Sequence, residues 1–531
     1  MKLPSPTRLL PSWQNAALAV LSAVLLILAF PDFEFSFLAW FALVPLLWAV
    51  EREKGSLAKS FFTGWLFGVV FFFGTCWWLT FAPITYAGFP WWLAYFLLLV
   101  VTAIVGIFPG IFAGLMSAFL ERFGNITILA APFVWVFTEF LRYWLTGNNW
   151  NALGYAAAFD SGSGLKLAAS GGVYLTGFLY AAVNAFFVWL FISRESRSSV
   201  RRYLINGLAI LGALVFLLRF ISSVGMAPDN PGLPDASASN AATIVAIQPN
   251  VPMSGLTYEK WQLLRHRHVE LAESALRQLP AGNPHPVTVI FPESPMNFMY
   301  DEDPEFQAFI SGFAAKHNVN VLFNSAEPDP KNKKYFNSAV LVDSQGKEVA
   351  QYDKIYLVPF GESVPAPLQS IVPAFVGSFS YGDEYDLLPL GDAKAGVMIC
   401  FESHFGQLAR QYVQNGADVL IEMTNDGYLG PTPVLRQHLA NAVFRAVETN
   451  RPVLRVTNVG VTAYITETGD VIDPAEPYQE DTRIWSVVSK SNSSQTFYVK
   501  HGDWFAWLCS IVTMFLLALS ILPRVGEKNP E

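Results

Sequence analysis

The sequence has few charged residues and few cysteines, and each shortage excludes certain classes of protein. Only 14% of its 531 residues are charged, against about 25% in soluble domains, so membrane segments are expected. The net charge is −8 and forms no basic stripe, which excludes the usual footprint of a nucleic-acid-binding protein. Three widely spaced cysteines do not make a disulfide framework. The composition therefore favours a membrane protein.

The apolar residues are concentrated in two parts of the chain, residues 1–222 and 503–522, whereas 242–495 has the composition of a soluble domain. A membrane-spanning helix needs about 20 mostly apolar residues. Eight segments are predicted spans: about 14–31, 35–50, 60–81, 91–119, 127–145, 168–193, 203–222 and 503–522. Seven would form a bundle over 1–222, and the eighth would follow the soluble block. Residues 223–241, rich in Pro, Ser, Gly and Ala, are predicted to be a linker.

The distribution of basic residues predicts the orientation of these spans. Lys and Arg favour cytoplasmic loops. With the N-terminus inside, the inner segments 1–13, 51–59, 120–126, 194–202 and 523–531 all carry Lys or Arg, whereas the short outer loops 32–34 and 82–90 carry none. This parity predicts a multi-pass protein of a bacterial inner membrane, with residues 223–502 in the periplasm.

The soluble block alternates β-rich runs with helical patterns, which is typical of an α/β domain. Seven runs are predicted strands: 242–250, 287–294, 318–327, 338–346, 395–403, 417–426 and 452–460. Their nearly continuous Val, Ile and Leu indicates strands that are buried on both faces. Residues 257–279 and 433–449 have helical periodicity.

Several predicted strands end in polar or reactive side chains. Glu293 follows "VIFP", Cys400 follows "VMI", and Asn425 follows "IEMT". The segment "QYDKIYLVPFGES" adds Lys354 and Glu362 after another strand-like run. Because ligand sites in α/β sheets gather at the carboxyl ends of strands, these residues are the candidate site.

A thiol, a carboxylate and an ammonium together supply what acyl transfer needs. Cys400 would be the nucleophile and Glu293 the base that takes its proton. Lys354 and the backbone N–H of Phe401 would stabilise the oxyanion. His404 is an alternative base, but nothing near it in sequence would orient its ring. The run "RHRH" at 265–268 is interpreted as a solvated helix face, so no metal and no organic cofactor are expected.

Three segments carry a resemblance to a known superfamily. "FPES", "YDKIYLVPFGE" and "GVMICFES" resemble, in order and spacing, the Glu-Lys-Cys signature of the nitrilase superfamily. With "TNDGYLG" (424–430), "RQHLANAVFRAVETNRPVLRVTNVGVTA" (436–463) and the eight spans, the whole chain resembles the apolipoprotein N-acyltransferase family, the membrane branch of that superfamily. The resemblance implies a periplasmic nitrilase-like α-β-β-α sandwich attached to an eight-helix membrane bundle.

The resemblance also implies a reaction and its partners. Cys400 would take a fatty acyl group from the sn-1 position of a phospholipid, typically phosphatidylethanolamine, as a thioester. The acyl group would pass to the α-amino group of a diacylglyceryl-cysteine at the N-terminus of an apolipoprotein, in a ping-pong mechanism that completes lipoprotein maturation. The enzyme is expected to be a monomer.

The resemblance further assigns supporting residues. Glu362 matches a second family glutamate that would orient Lys354 or the incoming amine. Phe401 and Glu402 match an aromatic residue and a glutamate, and Tyr428 lies where the family often has larger aromatics; Asn425 lies beside it. The family tends to carry a tryptophan soon after "QPN", but Trp261 comes late for that position and is not assigned.

Two other functions are compatible with the sequence. A membrane-tethered amidase of the nitrilase type would use water instead of an amine, and the triad alone does not separate it from an acyltransferase. A transporter with a regulatory cap would more often place ionisable groups inside its spans.

The loop 364–382, with Ile371, Phe375 and Phe379, is a candidate interfacial lid or a cover of the domain core.

Overall fold

The structure, a computed structural model, describes residues 9–160, 164–193, 241–280, 282–293, 298–364, 379–489 and 495–523. The chain divides into two compact units, Met1–Met226 with Asp503–Glu531, and Ala227–Gly502. The predicted span 203–222, nearly all of the predicted linker, and Ile371 and Phe375 of the candidate lid lie outside the described residues.

The first unit is helical in the described residues. Its α-helices are α1 Trp13–Ala29, α2 Val44–Arg52, α3 Leu57–Thr75, α4 Phe81–Thr85, α5 Trp91–Val105, α6 Ile107–Phe123, α7 Ala131–Thr146 and α8 Ala168–Ser193, and the C-terminal helix Trp504–Ile521 belongs to the same unit. Five helical segments are long and apolar enough to cross a membrane: Leu57–Thr75, Trp91–Phe123, Asn125–Thr146, Leu165–Ile192 and Trp504–Ile521. They overlap five of the predicted spans.

Residues 35–50, predicted to form one membrane-spanning helix, differ most from the prediction. It forms a 3₁₀ turn, Ser36–Trp40, followed by the nine-residue helix α2, with Pro45 in its first turn. At 1.5 Å per residue, α2 rises only about 14 Å, whereas a bilayer core is about 30 Å thick. The apolar run predicted one helix, but Pro45 begins a new helix and breaks the run. The first predicted span is the 17-residue helix α1.

Small residues let α3 and α6 approach closely. Gly64 and Gly68 are spaced as Gly-x-x-x-Gly on α3. A Cβ atom on Gly64 would lie 2.2 Å from the carbonyl oxygen of Pro109, and one on Gly68 would lie 2.8 Å from the Cα atom of Gly106. Such close backbone contacts are a usual basis of helix packing in membranes, where lipid is as apolar as Leu.

The second unit contains two β-sheets in its described part. The first sheet has the strand order β13-β1-β2-β3-β4-β5, and β6 pairs with β4; the second has the order β12-β11-β10-β9-β8-β7. The strands are β1 Ala241–Gln248, β2 Val287–Ile290, β3 Asn320–Asp329, β4 Lys334–Val342, β5 Glu348–Asp353, β6 Phe379–Ser380, β7 Leu387–Leu390, β8 Ala393–Ile399, β9 Val419–Thr424, β10 Val453–Thr457, β11 Ala463–Ile465, β12 Val471–Ile472 and β13 Asp481–Val488.

Helices cover the outer faces of both sheets. In this unit α9 is Tyr258–Leu276, α10 Pro304–His317, α11 Gly406–Gln414, α12 Val434–Thr449 and α13 Phe497–His501, so that Trp504–Ile521 is α14. Helices α9 and α10 pack on the first sheet, α11 and α12 pack on the second, and the sheets contact each other through β1 with β10 and β5 with β7. This α-β-β-α layering confirms the predicted nitrilase-like α/β fold.

The parallel strands bring their carboxyl ends to common edges. Strand β2 runs parallel to β1 and β3, and β9 runs parallel to β8 and β10, with Ile399 opposite Met423. All seven predicted strands and both predicted helices of this unit are present, within a few residues of their predicted bounds. Six described strands have no predicted counterpart: β5, β6, β7, β11, β12 and β13. Strand β13, whose run "DTRIWSVV" carries charge, pairs antiparallel with β1 at the sheet edge, where one side tolerates polar residues.

Candidate active site

Cys400 begins a 3₁₀ turn, Cys400–His404, directly after β8. Its backbone is left-handed, with φ of 54°, a conformation that costs a residue with a Cβ atom about 1–3 kcal/mol. Cys400 itself is partly buried. Strain of this kind is maintained only where the surrounding contacts fix the backbone.

Glu293, three residues beyond β2, lies against this thiol. Its carboxylate is hydrogen-bonded to the Cys400 side chain. One oxygen accepts a bond from Asn337 Nδ2 at 3.2 Å, and the other accepts the backbone N–H of Asn425 at 3.1 Å. These two donors come from β4 and from the end of β9, and they hold the carboxylate in one orientation.

Lys354 follows β5 and is fully buried. Its Nζ atom donates to Glu362 Oε1 at 2.8 Å and lies 3.9 Å from Glu293 Oε1. Asn337 Nδ2 also donates to Glu362 at 2.7 Å, and Glu362 accepts the backbone N–H of Val358 at 2.8 Å. The ammonium is therefore held between two carboxylates. Burial alone would lower the pKa of Lys354, but Glu362 and Glu293 outweigh burial and raise it, so the side chain remains charged.

The acid and the thiol are both protonated more readily here than in water. Burial raises the pKa of Glu293, and the charge of Glu362 raises it further, while Lys354 acts in the opposite direction. Burial and the Glu293 carboxylate raise the pKa of Cys400 well above its usual range. At rest, Cys400 is therefore a protonated thiol. Glu293 is the carboxylate that contacts this thiol, and a carboxylate there can accept a proton.

Glu402 joins the Cys400 turn to the segment that carries Lys354. Its buried carboxylate accepts the backbone N–H groups of Ile399 at 2.8 Å, Ile355 at 2.7 Å and Tyr356 at 3.0 Å. Burial raises the pKa of Glu402 to about 7, although Lys354 and these donors favour the carboxylate. Glu402 therefore fixes the position of Cys400 relative to Lys354.

The remaining predicted residues border the site. Asn425 positions Glu293 through its backbone N–H, and its side chain accepts the N–H of Gly427 at 3.2 Å. The ring of Phe401 stacks on His404 at 5.6 Å between centroids. Tyr428 is about half exposed. Trp261, which the sequence left unassigned, lies in α9 and packs on Phe298 at 5.8 Å.

Sequence reasoning gave no role to several residues that complete the site. Asn337 bridges the two glutamates, and His438 Nε2 lies 3.0 Å from the Cys400 carbonyl oxygen. Glu422 and Arg455 are fully buried and paired with each other. The available signal was a charged residue inside each of the apolar runs "VLIEMT" and "VLRVT", since such residues are almost never fully buried unless paired. Among the described residues, no group of three or more His, Cys, Asp or Glu side chains is arranged to hold a metal ion.

Two family models match the chain, one in each of its two units. Residues 22–186 match the model of the apolipoprotein N-acyltransferase N-terminal domain, and residues 242–491 match that of carbon-nitrogen hydrolases. Among solved structures, Saccharomyces cerevisiae Nit3, a member of branch 10 of the nitrilase superfamily, aligns with a TM-score of 0.37 and 16% identity, over 49% of this chain and 94% of that one.

Full-length relatives extend the comparison over both units. An apolipoprotein N-acyltransferase from Geobacter metallireducens is 31% identical, over 95% of this chain and 94% of the relative. One from Allorhizobium ampelinum is 30% identical, over 99% and 98%. One from Thermotoga maritima is 28% identical, over 96% and 94%. Similarity at this level over nearly the whole length, together with the Glu293-Lys354-Cys400 site, shows that the chain belongs to the apolipoprotein N-acyltransferase family.

Proposed function

We propose that this enzyme moves a fatty acyl group from the sn-1 position of a phospholipid to the α-amino group of a diacylglyceryl-cysteine at an apolipoprotein N-terminus. The observation that carries the proposal is the convergence of Glu293, Lys354 and Cys400, which arrive from β2, β5 and β8. The names of the full-length relatives support the acceptor class. Phosphatidylethanolamine is the proposed donor.

The first step forms a thioester and releases a lysophospholipid. The Cys400 sulfur attacks the ester carbonyl carbon as its proton passes to Glu293, which the hydrogen bond between the two side chains allows. Lys354 and the backbone N–H of Phe401 stabilise the tetrahedral oxyanion; losing one such donor costs about 10²–10³ in rate. The carbon–oxygen bond then breaks, and Glu293 returns the proton to the departing sn-1 oxygen.

The second step reverses these roles with an amine. The α-amino nitrogen attacks the thioester carbonyl, Glu293 accepts one amine proton, and the same donors stabilise the second oxyanion. The carbon–sulfur bond breaks and the proton returns to the Cys400 sulfur. Glu362 holds Lys354 in place throughout, as its 2.8 Å contact with the ammonium indicates.

The proposal includes an arrangement in the membrane. We assign residues 1–222 to a bundle of seven spans, 223–241 to a linker, 242–495 to the catalytic domain and 503–522 to the eighth span. The protein would be a monomer of the bacterial inner membrane with its catalytic domain in the periplasm. The basic residues of the inner segments support this orientation.

Intact-mass spectrometry of purified enzyme incubated with phosphatidylethanolamine tests the covalent route. The parent enzyme should gain the mass of one acyl chain, and Cys400→Ser should gain none while keeping its melting temperature. Cys76→Ser is the matched control, because Cys76 is a buried thiol of the helical unit and should not affect the adduct. A parent enzyme without an adduct would refute the thioester mechanism.

The acyl-enzyme also separates transferase from hydrolase. A synthetic peptide with an N-terminal diacylglyceryl-cysteine should discharge the adduct and gain the acyl group, whereas buffer alone should leave the adduct largely intact. Rapid loss of the adduct to water, without any acylated peptide, would assign a hydrolase of the carbon-nitrogen type instead.

A further inference from the structure

A buried cluster of charges lies behind the Cys400 turn and has no part in the proton transfers described above. His438 of α12 has its Nδ1 atom 2.7 Å from Asp426 Oδ1 and its Nε2 atom 3.0 Å from Glu422 Oε1. Arg455 of β10 pairs with both carboxylates, at 2.7 Å in the case of Asp426. All four side chains are at least 95% buried. The carboxylates of Asp426 and Glu422 carry two negative charges, which Arg455 and His438 neutralise only if the imidazole is charged.

The contacts of the His438 ring also indicate a charged imidazole. The Nδ1 atom faces a carboxylate oxygen, and the Nε2 atom faces both Glu422 and the carbonyl oxygen of Cys400, at 3.0 Å. A neutral imidazole has one N–H, so only the imidazolium donates on both sides. Burial lowers the pKa of His438, but Asp426 and Glu422 outweigh burial and Arg455, and raise it to about 9.

The contact of His438 with the Cys400 carbonyl oxygen also affects the N–H of Phe401. The carbonyl group of Cys400 and the N–H of Phe401 belong to the same planar peptide unit. A charged donor on the carbonyl oxygen fixes the plane of that unit and polarises it, which strengthens the N–H as a donor. That N–H is the proposed oxyanion donor, on a backbone whose φ of 54° is otherwise unfavourable.

We propose that His438 is a positioning residue that holds and polarises the Cys400–Phe401 peptide, so that the Phe401 N–H is ready to receive the oxyanion. Asp426 and Glu422 keep the ring charged, and Arg455 offsets their remaining charge. The inference rests on the proposed function, because the N–H has an oxyanion to bind only if Cys400 attacks an acyl carbon.

The test compares two reactions of the same sulfur. Acylation forms an oxyanion, whereas alkylation by iodoacetamide does not. Acylation is measured with phosphatidylethanolamine and with p-nitrophenyl butyrate, and alkylation by peptide mass spectrometry at Cys400. In His438→Gln, acylation should slow by about 10- to 100-fold, less than the roughly 10²–10³ for complete loss of one oxyanion donor, because the Phe401 N–H is misplaced and not removed. The loss should appear in the acylation rate constant and not in the apparent affinity, and alkylation should stay within about threefold.

Two further variants guard against a folding defect. His438→Gln leaves the cluster one negative charge in excess, so His438→Gln combined with Glu422→Gln restores the balance and should fold, while its acylation remains slow. His317→Gln is the matched control, because His317 also pairs with a carboxylate, Glu273 at 3.0 Å, but on α10 outside the site. It should acylate at the parent rate.

The outcomes are distinct. Unchanged acylation in His438→Gln would overturn the inference. So would an equal loss of acylation and alkylation in the charge-balanced variant, since that would mean a displaced thiol. If the parent reacts with p-nitrophenyl butyrate but not with phospholipid, the proposed function fails and the ester still decides the role of His438. If the parent reacts with neither donor, both proposals fail.

Discussion

At the scale of single residues, the site depends on which group holds the proton before attack. Cys400 has a raised pKa, so it is not a preformed thiolate, and Glu293 is the carboxylate hydrogen-bonded to it. Lys354 Nζ is hydrogen-bonded to Glu362 at 2.8 Å and lies 3.9 Å from Glu293, so it supplies a fixed positive charge beside both carboxylates. In the proposed reaction, Glu293 would therefore move protons and Lys354 would stabilise negative charge.

Replacing Glu293 with Gln should slow acylation of Cys400 by about 10²–10⁴, the usual contribution of a general base, because an amide cannot accept the thiol proton. The rate of adduct formation by intact-mass spectrometry measures this. Glu327→Gln is the control, because Glu327 is a buried carboxylate of β3 that accepts the backbone N–H groups of Tyr300 and Asp301. An acylation burst of normal rate in Glu293→Gln would remove Glu293 from the role of base.

The raised pKa of Glu293 also fixes the direction of the pH dependence. The base works only when ionised, so acylation should be lost as pH falls through the pKa of Glu293, with a midpoint above the value of about 4.3 for a free glutamate. Initial acylation rates between pH 4 and 8 would show this limb. A midpoint at or below the value of free glutamate would contradict the burial argument, as would an identical limb in Glu293→Gln.

At the scale of secondary-structure elements, both units depend on close approach. In the second unit, Glu402 accepts N–H groups from the end of β8 and from the segment after β5, and so holds Cys400 and Lys354 in a fixed arrangement. In the first unit, Gly64 and Gly68 let the backbone of α3 meet that of α6. The glycine contacts leave no room for a Cβ atom, and the Glu402 contacts require a side chain that accepts three N–H groups.

Gly64→Ala should lower the melting temperature of the purified protein in detergent, followed by circular dichroism. The added Cβ would lie 2.2 Å from the Pro109 carbonyl oxygen and 2.6 Å from the Ala113 Cβ, and overpacking of this kind costs about 1–3 kcal/mol. Gly114→Ala on α6 is the matched control, since its Cβ would meet nothing nearer than 4.0 Å. Equal melting temperatures for the two variants would refute the close packing of α3 and α6.

At the scale of the whole molecule, the proposed reaction and the distribution of Lys and Arg lead to the same prediction, a periplasmic catalytic domain. The acceptor amine belongs to a protein anchored by its own acyl chains, and the basic residues predict that residues 223–502 are periplasmic. A cytoplasmic placement of that segment would leave the positive-inside bias reversed in every described inner loop.

Cysteine labelling in intact cells tests this placement, in a Cys400→Ser background. Leu263→Cys, at an exposed position of α9, should react with a membrane-impermeant maleimide once the outer membrane is opened. Lys54→Cys, in the predicted inner segment 51–59, is the matched control and should react only after the inner membrane is broken. The opposite pattern would invert the topology.

The α/β fold class and the candidate residues Glu293, Lys354 and Cys400 are all predictable from the sequence alone, because both predictions depend on local pattern. Continuous apolar runs predicted the buried strands, and a polar side chain at a strand end predicted where Glu293 and Cys400 would lie. Helix breaks inside an apolar run were less visible, as Pro45 in the predicted span 35–50 shows.

The pairing of the buried charges, in contrast, is visible only in the folded chain. Glu422 and Arg455 could be recognised as charges inside apolar strands, but nothing local names their partners. The imidazole of His438 reaches the main chain of Cys400 across 38 residues, and Glu293 receives its backbone donor from Asn425 across 132 residues. A periodic pattern fixes which face of an element is buried, whereas the partner across the interface depends on how separate elements pack together.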